Sequence, residues 1–204
     1  METKIYLVRH TQTVGNIEKR LTGRVDFEVT EEGYQLVEKL TEKLKDIKFD
    51  VAYASTSKRT SKTIQKLADI NGMEICEEED LCEMYFGIYD GMTWEDVNTI
   101  NPKISKLHKE TNEIMQIPNQ ETKEQVTERM YRKILEIANN NVGKNILICS
   151  HGVAIEAFLR KITKVPFIAE VEKYSQKNTS LNIIEFDKKN QNFVITMLNN
   201  EEYK

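Results

Sequence analysis

Two histidines in this sequence each follow a short apolar segment, and their positions indicate a site for chemistry. His10 comes directly after Arg9 and the apolar residues 5–8, and His151 follows Ser150 after the apolar residues 146–149. Each segment reads as a buried strand, and ligands in open α/β sheets bind at the carboxyl ends of strands. A guanidinium beside an imidazole at such an end suits an oxyanion, and the imidazole can act as a nucleophile or as a base.

A second arginine is placed to reach the same edge of the sheet. Residues 50–54 are predicted to form another strand, and Arg59 lies near the start of the helix that follows it. The amino-terminal end of that helix would add backbone N–H groups and a positive dipole end. Together with Arg9 and the two histidines, Arg59 would form a basic pocket in an acidic chain. Such a pocket suits a small anionic ligand better than a polyanion.

The composition of the 204 residues narrows the classes of function. Hydrophobic residues make up 39% and charged residues 30%, which is typical of a soluble globular protein. The formal net charge is −4, so we expect no nucleic-acid partner. No stretch is long and apolar enough to span a bilayer and the first residues do not resemble a signal peptide, so we expect no membrane partner. Three cysteines, Cys76, Cys82 and Cys149, lack metal-ligand spacing, which predicts reduced thiols, a cytoplasmic location and no bound metal.

Strand and helix patterns alternate along most of the chain. Thr30 and Thr122 are predicted to cap the starts of two helices, and residues 180–186 and 193–198 are predicted to form a terminal hairpin. This alternation predicts an α/β fold, a three-layer sandwich with a mostly parallel central sheet covered by helices on both faces. We expect a single domain over residues 1–204, with an irregular substrate-specificity insert at about 92–119. The hairpin edge would allow pairing with a second copy in a homodimer.

Six segments of the chain resemble the histidine phosphatase superfamily, the phosphoglycerate-mutase-like group, and they occur in the order of that family. The segments are residues 7–16, 20–33, 55–63, 83–91, 150–154 and 178–180. The first reads Leu-Val-Arg-His-Thr-Gln-Thr and the fifth reads Ser-His-Gly-Val-Ala. Together they cover nearly the whole chain apart from the insert, and the resemblance implies a phosphoglycerate mutase-like fold.

The resemblance also implies roles for the matching positions. His10 would be the nucleophile that becomes phosphohistidine, and Glu83 would be the proton donor to the leaving oxygen and the group that then activates water. The positions implied to bind the phosphoryl group or the substrate are Arg9, Asn16, Thr22, Gly23, Arg59, His151 and Gly152. Phosphoryl transfer spreads negative charge over three oxygens. Two arginines and a second imidazole would supply the compensating charge without a metal or another cofactor, and nearby arginines would keep His10 neutral and nucleophilic.

Each candidate also has a simpler interpretation. Glu83 alone would be an ordinary exposed glutamate, and Arg59 alone would be a solvated helix residue. Cys149 lies two residues before His151, which allows a thiol nucleophile, although its apolar surroundings predict an inert thiol. Arg20 and Arg24 would either extend the mouth of the pocket or lie on the surface.

Departures from the family pattern favour its phosphatase branch. Mutases of the family have Arg after the acidic residue and Asn after the second His-Gly, whereas this chain has Met84 and Val153. Thr11 and Gln12 replace the usual Gly-Glu. Because a mutase must hold a second acidic group in two orientations, the missing contacts favour hydrolysis. We therefore predict a metal-independent phosphomonoester hydrolase that acts on a small phosphorylated metabolite. The alternatives are a phosphoglycerate mutase-type phosphoryl transfer and a non-catalytic phosphate-ligand-binding module.

Overall fold

The computed structural model describes residues 2–103 and 117–203, which form one seven-stranded sheet with helices on both sides. The strands are β1 Thr3–Arg9, β2 Val51–Ala54, β3 Ile75–Glu77, β4 Asn145–Ser150, β5 Leu181–Asp187, β6 Asn192–Leu198 and β7 Glu201–Glu202. The helices are α1 Val14–Ile17, α2 Glu31–Leu44, α3 Lys58–Asn71, α4 Trp94–Ile100, α5 Lys123–Asn140, α6 Gly152–Thr163 and α7 Val171–Tyr174. None of the described helices has the length and hydropathy needed to cross a bilayer.

The sheet has a parallel half and an antiparallel half, and its strand order is β3-β2-β4-β1-β5-β6-β7. β3, β2, β4 and β1 run parallel to one another, whereas β5, β6 and β7 add antiparallel pairs at the other side. The predicted α/β fold is thus confirmed, and the sheet is mixed because the terminal hairpin joins it beside β1. In the parallel half, Arg9 lies opposite Ser150, so β1 and β4 end side by side.

Two apolar cores, one on each face of the sheet, account for the apolar character of β1. Ile5 and Leu7 belong to the core under α5 and α6, whereas Tyr6 and Val8 belong to the core under α2 and α3. Successive side chains of a strand point to opposite faces. A central strand covered by helices on both faces is therefore apolar at every position.

The predicted helix starts are confirmed by their capping contacts. The Thr30 hydroxyl accepts a hydrogen bond from the Gly33 N–H at 2.9 Å. At the start of α5, the Thr122 hydroxyl accepts from the Gln125 N–H at 3.1 Å, and the Gln125 side chain accepts from the Thr122 N–H at 2.8 Å. These side chains satisfy N–H groups that the first turn of a helix leaves without partners.

The loop after His10, the predicted insert and the edge of the terminal hairpin differ from the expectations or fall partly on residues that the structure does not describe. The segment after His10 was expected to be a loop, but it contains a one-turn helix, α1. This helix is capped by Asn16, whose side-chain oxygen accepts from the Thr13 N–H. The predicted insert contains α4, and residues 104–116, including His108, lie outside the described residues. The outer strand of the terminal hairpin is covered at its end by β7, so the edge expected to pair with a second copy is shortened.

Candidate active site

The two histidines meet at the carboxyl edge of the sheet, as the strand pattern predicted. The backbone N–H of His10 donates to the Ser150 carbonyl at 2.9 Å, which links the residues that follow β1 and β4. The centroids of the His10 and His151 rings are 5.2 Å apart, with an angle of 60° between the ring planes. Both side chains are buried. Residues that are 141 positions apart in the sequence are therefore neighbours because β1 and β4 are parallel neighbours.

The His10 ring is held in the form that a nucleophile needs. Its Nδ1 lies 2.7 Å from the Thr11 carbonyl oxygen, which can only accept a hydrogen bond. Nδ1 therefore carries the proton, which leaves Nε2 with a free lone pair. The pKa of His10 lies well below its usual 6.5, first because of burial and then because of the nearby Arg9 and Arg59 guanidiniums. A neutral imidazole with Nε2 unprotonated is the nucleophilic state.

The two positions that depart from the family pattern, Thr11 and Gln12, are tied to neighbouring elements. The Thr11 N–H donates to the Thr63 hydroxyl at 2.9 Å, and the Thr11 hydroxyl donates to the Gly33 carbonyl at 2.7 Å. The Gln12 side-chain oxygen accepts from the Thr30 hydroxyl at 2.7 Å. These side chains fix the loop after His10 to α2 and α3, so the loop is anchored without the usual Gly-Glu.

Arg59 is buried behind the histidines, and the interpretation of it as a solvated helix residue is wrong. Its Nη2 donates to the Gly23 carbonyl at 2.7 Å and lies 3.0 Å from Nδ1 of His151. Its Nη1 donates to the Val25 carbonyl at 2.9 Å and to the Asp26 carboxylate at 2.7 Å. The loop 23–26 therefore holds the guanidinium in place beside His151.

Glu83 lies at the start of α6, the helix that begins directly after His151. Its side-chain oxygens accept from the backbone N–H groups of Met84 at 2.9 Å, Ala154 at 3.0 Å and Val153 at 3.2 Å. Only 7% of Glu83 is exposed, so the interpretation as an ordinary exposed glutamate is wrong. A carboxylate is favoured at the amino-terminal end of a helix, where unpaired N–H groups and the positive dipole end meet it.

A cavity of about 240 Å³ opens in front of these residues. Of the predicted set, Arg9, Asn16, Thr22, Glu83 and Gly152 line it. His10, Arg59, His151 and Gly23 are not among its lining residues, although Arg9 and Gly152 are adjacent in sequence to the two histidines. Gly23 instead contributes its carbonyl to Arg59, and a Cβ there would lie 1.6 Å from Asp90 Oδ1. Arg20 lines the cavity as well. Arg24 points elsewhere, since its guanidinium nitrogens lie 3.7 Å from Glu79 and 3.9 Å from Glu121.

Neither a metal nor a thiol is indicated in this cavity. Within residues 2–103 and 117–203, no group of three or more His, Cys, Asp or Glu side chains is placed to hold a metal ion. Burial raises the pKa of the Cys149 thiol far above its usual value of 9.0. Because the thiolate is the reactive form and Cys149 is fully buried, the structure supports the expected inert thiol and contradicts the alternative of a thiol nucleophile.

Comparison with known proteins identifies the family. A sequence model described as "Histidine phosphatase superfamily (branch 1)" matches residues 5–201 of the chain. The chain belongs to the histidine phosphatase superfamily. Both the resemblance drawn from the motifs and the enzyme class predicted with it are thereby confirmed.

Individual members of the superfamily resemble the chain over most of their length. Over 163 residues it is 29% identical to "Putative phosphoserine phosphatase 2" of Hydrogenobacter thermophilus, covering 79% of each chain. Over 183 residues it is 28% identical to "Phosphoglycerate mutase-like protein 4" of Arabidopsis thaliana, covering 88% of this chain and 78% of the relative. The solved structure of Bacillus stearothermophilus YhfR superposes with a TM-score of 0.89 over 98% of each chain, at 24% identity. That likeness shows a shared fold.

Two residues that hold His151 and Glu83 in place, Ser55 and Arg129, were not assigned a role in the sequence analysis. Ser55 Oγ lies 2.7 Å from Nε2 of His151. Since Arg59 can only donate, Nδ1 of His151 accepts and Nε2 donates to Ser55. Arg59 therefore sets the tautomer of His151, and Ser55 accepts the hydrogen bond that Nε2 donates. It lies in a matched motif, which could have drawn attention to it.

Arg129 on α5 fixes the backbone around Glu83. Its Nη1 donates to the carbonyls of Asp80 at 2.8 Å and Cys82 at 2.7 Å, and its Nη2 donates to the carbonyl of Glu83 at 3.1 Å. Glu121 holds the same guanidinium from the other side through Nε at 2.6 Å. On the sequence, Arg129 is one more polar residue on an amphipathic helix, and no spacing distinguishes it.

Because both histidines are neutral in the folded protein, we predict that the free energy of unfolding decreases as the pH is lowered below about 6.5. Burial, followed by nearby guanidiniums, holds the pKa of both His10 and His151 well below 6.5 in the folded protein. Between pH 6.5 and 5 the unfolded chain gains protons that the folded chain does not, so each histidine lowers the free energy of unfolding by up to about 1.4 kcal/mol per pH unit. Urea unfolding at several pH values measures this slope. His10→Asn should reduce it, and an unchanged slope in that variant would contradict the assignment.

Proposed function

We propose that this chain is a metal-independent phosphomonoesterase that hydrolyses a small phosphorylated metabolite through a phosphohistidine on His10. The observation that carries the proposal is the convergence of buried His10, His151 and Arg59 behind a cavity lined by Arg9 and Glu83. Nucleophile, positive charge and a proton-transferring carboxyl group are the parts that such a reaction requires.

Two buried donors support a phosphoryl group as the ligand. Nε of Arg9 and Nε of Arg59 are buried and have no hydrogen-bond partner among the described residues. An unpaired buried donor costs about 1–3 kcal/mol, and more when it is charged. Oxygens of a phosphoryl group bound beside His10 would accept from these nitrogens, with the Asn16 side-chain amide as a further donor. His151 has no free donor in this arrangement, because its ring nitrogens are paired with Arg59 and Ser55.

In the first step, Nε2 of His10 attacks the phosphorus, and a new N–P bond forms as the ester O–P bond breaks. Glu83 enters this step in its acid form and gives its proton to the leaving oxygen, which leaves the carboxylate that the N–H groups of Val153 and Ala154 stabilise. In the second step, the Glu83 carboxylate removes a proton from water, and the water oxygen attacks the phosphorus. The N–P bond breaks, phosphate leaves, and His10 returns to its neutral state. Met84, Val153 and Ala154 orient Glu83 through their N–H groups for both steps.

The size and lining of the cavity favour hydrolysis of a small molecule. Its volume of about 240 Å³ is below the range of roughly 300–1,000 Å³ found for drug-sized ligands. Arg9 and Arg20 are the cationic side chains among its described lining residues. A mutase needs further cations to hold a second acidic group in two orientations. In addition, Val153 is apolar at the position where mutases of the superfamily have the polar residue Asn.

Incubation with 3-phosphoglycerate in the presence of a chelator such as EDTA tests the proposal. We expect free phosphate, at a rate that the chelator does not change, because the arginines supply the positive charge. Conversion to 2-phosphoglycerate without phosphate release would show a mutase instead. Tight binding without turnover of 3-phosphoglycerate or p-nitrophenyl phosphate would show a binding module, and loss of activity with EDTA would contradict metal independence.

A further inference from the structure

Asp90 has no part in the steps above, yet its carboxyl group joins two segments of the cavity wall. The backbone N–H of Arg24 donates to Oδ2 of Asp90 at 2.9 Å, and the backbone N–H of Phe86 donates to Oδ1 at 3.2 Å. Thr22 and Phe86 line the cavity on these two segments, whereas Asp90 itself does not line it. Asp90 therefore acts on the cavity through backbone contacts.

The segment that contains Arg24 is a tight turn, and the Asp90 carboxyl group packs directly against it. The N–H of Val25 donates to the Thr22 carbonyl at 2.9 Å, which closes the turn. Gly23 has a φ of 36°. A Cβ on Gly23 would lie 1.6 Å from Oδ1 of Asp90, so the carboxyl group occupies the space that the glycine leaves open.

The same turn presents the carbonyl groups that hold Arg59. The Gly23 carbonyl accepts from Nη2 of Arg59 at 2.7 Å, and the Val25 carbonyl accepts from Nη1 at 2.9 Å. The Gly23 carbonyl and the Arg24 N–H belong to one peptide group, which is planar with its two polar bonds pointing in opposite directions. Asp90 holds the N–H, so it also directs the carbonyl on the other side towards Arg59.

The carboxylate form of Asp90 is required for this contact. Burial raises the pKa of Asp90, whereas the backbone N–H groups and then the positive charge of Arg59 lower it. A carboxylate only accepts hydrogen bonds, so both of its oxygens can face an N–H group. An asparagine of the same shape would place an amide NH₂ group against one of these donors, and that contact would be lost.

We propose that Asp90 is a positioning residue, which orients Arg59 and through it His151 by holding the peptide group between residues 23 and 24. Nη2 of Arg59 lies 3.0 Å from Nδ1 of His151, so a shift of the guanidinium would change this contact as well. The effect on turnover rests on the proposed phosphomonoesterase function, in which Arg59 binds phosphoryl oxygens. A displacement of about 1 Å in such a group can lower the rate about 100-fold.

Asp90→Asn is expected to lower kcat/KM for p-nitrophenyl phosphate about 10- to 100-fold, while thermal unfolding stays cooperative. Asp187→Asn is the matched control. The Asp187 carboxylate also accepts from backbone N–H groups, those of Lys189 at 2.8 Å and Asn190 at 3.4 Å, but it does not line the cavity. This variant should keep the wild-type kcat/KM. Wild-type kcat/KM in Asp90→Asn, or loss of its cooperative unfolding, would overturn the inference.

A double-mutant cycle tests the route through Arg59. Arg59→Lys keeps a positive charge but lacks the fork of nitrogens that contacts two carbonyls of the turn. In the Arg59→Lys background, Asp90→Asn should lower kcat/KM by less than about threefold, because both changes remove the same interaction. Equal losses in the two backgrounds would show a general structural role and would overturn the inference.

The ¹⁵N resonance of Nδ1 in the His151 ring provides a measurement that does not depend on turnover. In the wild type this nitrogen accepts from Arg59. In Asp90→Asn its resonance should move towards that of an acceptor nitrogen without a hydrogen bond, whereas Asp187→Asn should leave it in place. An unmoved resonance in Asp90→Asn would overturn the inference. Failure of the wild type to hydrolyse p-nitrophenyl phosphate would overturn the proposed function instead, and the resonance would still test the role of Asp90.

Discussion

Replacing His10 with alanine is expected to abolish turnover, with kcat at least about 10⁴-fold below that of the wild type on every phosphomonoester. The reason is that Nε2 of His10 is the atom to which the phosphoryl group would be transferred. His151 cannot take this role, since its Nδ1 accepts from Arg59 and its Nε2 donates to Ser55. Release of phosphate from p-nitrophenyl phosphate measures the effect.

A trapped intermediate distinguishes loss of the nucleophile from loss of the fold. Wild-type protein mixed with a ³²P-labelled ester and quenched in base should retain label, because an N–P bond to histidine survives base and breaks in acid. His10→Ala should retain none, while its thermal unfolding remains cooperative. Label on the His10→Ala variant, or residual turnover near the wild-type rate, would remove His10 from the role of nucleophile.

Replacing Glu83 with glutamine is expected to slow the first turnover by about 10²- to 10⁴-fold for esters with poor leaving groups. An alkyl alkoxide must be protonated as it leaves, whereas p-nitrophenolate needs little protonation. The first turnover of p-nitrophenyl phosphate should therefore be much less affected. Rapid-mixing measurements of both esters, limited to the first turnover, give the comparison.

Limiting the measurement to one turnover is necessary because Glu83 is proposed to act in both steps. Without the carboxylate that activates water, Glu83→Gln should accumulate phosphohistidine and release p-nitrophenol in a burst equal to the enzyme concentration. Equal losses in the first turnover of both esters would remove Glu83 from the role of acid. Glu74→Gln, at an exposed glutamate that precedes β3 and does not line the cavity, is the control.

The central arrangement could be predicted from the sequence because it depends mainly on the sheet. Once β1 and β4 are recognised as buried parallel strands, His10 and His151 must lie at the same edge. The reach of Arg59 follows from its place near the start of α3. What its guanidinium contacts could not be predicted, because the carbonyls of Gly23 and Val25 belong to an irregular loop without a periodic pattern.

The residues that the sequence did not reveal act through contacts with distant parts of the chain. Arg129 is a polar position on an amphipathic helix, and such positions look solvated until their packing partners are known. The role of Ser55 depends on which nitrogen of His151 carries a proton, and that is set by Arg59 from another element. Long-range hydrogen bonds of this kind leave no mark in spacing or composition.

Helix α6 contributes to the cavity with two successive turns. Its first turn meets Glu83 through the N–H groups of Val153 and Ala154, and Glu156 lies on the next turn, about 5 Å further along the axis. The contacts to Glu83 come from the backbone, which a side-chain replacement on the next turn leaves in place. The chemistry of the cavity wall at position 156 can therefore vary without loss of the hydrogen bonds that hold Glu83.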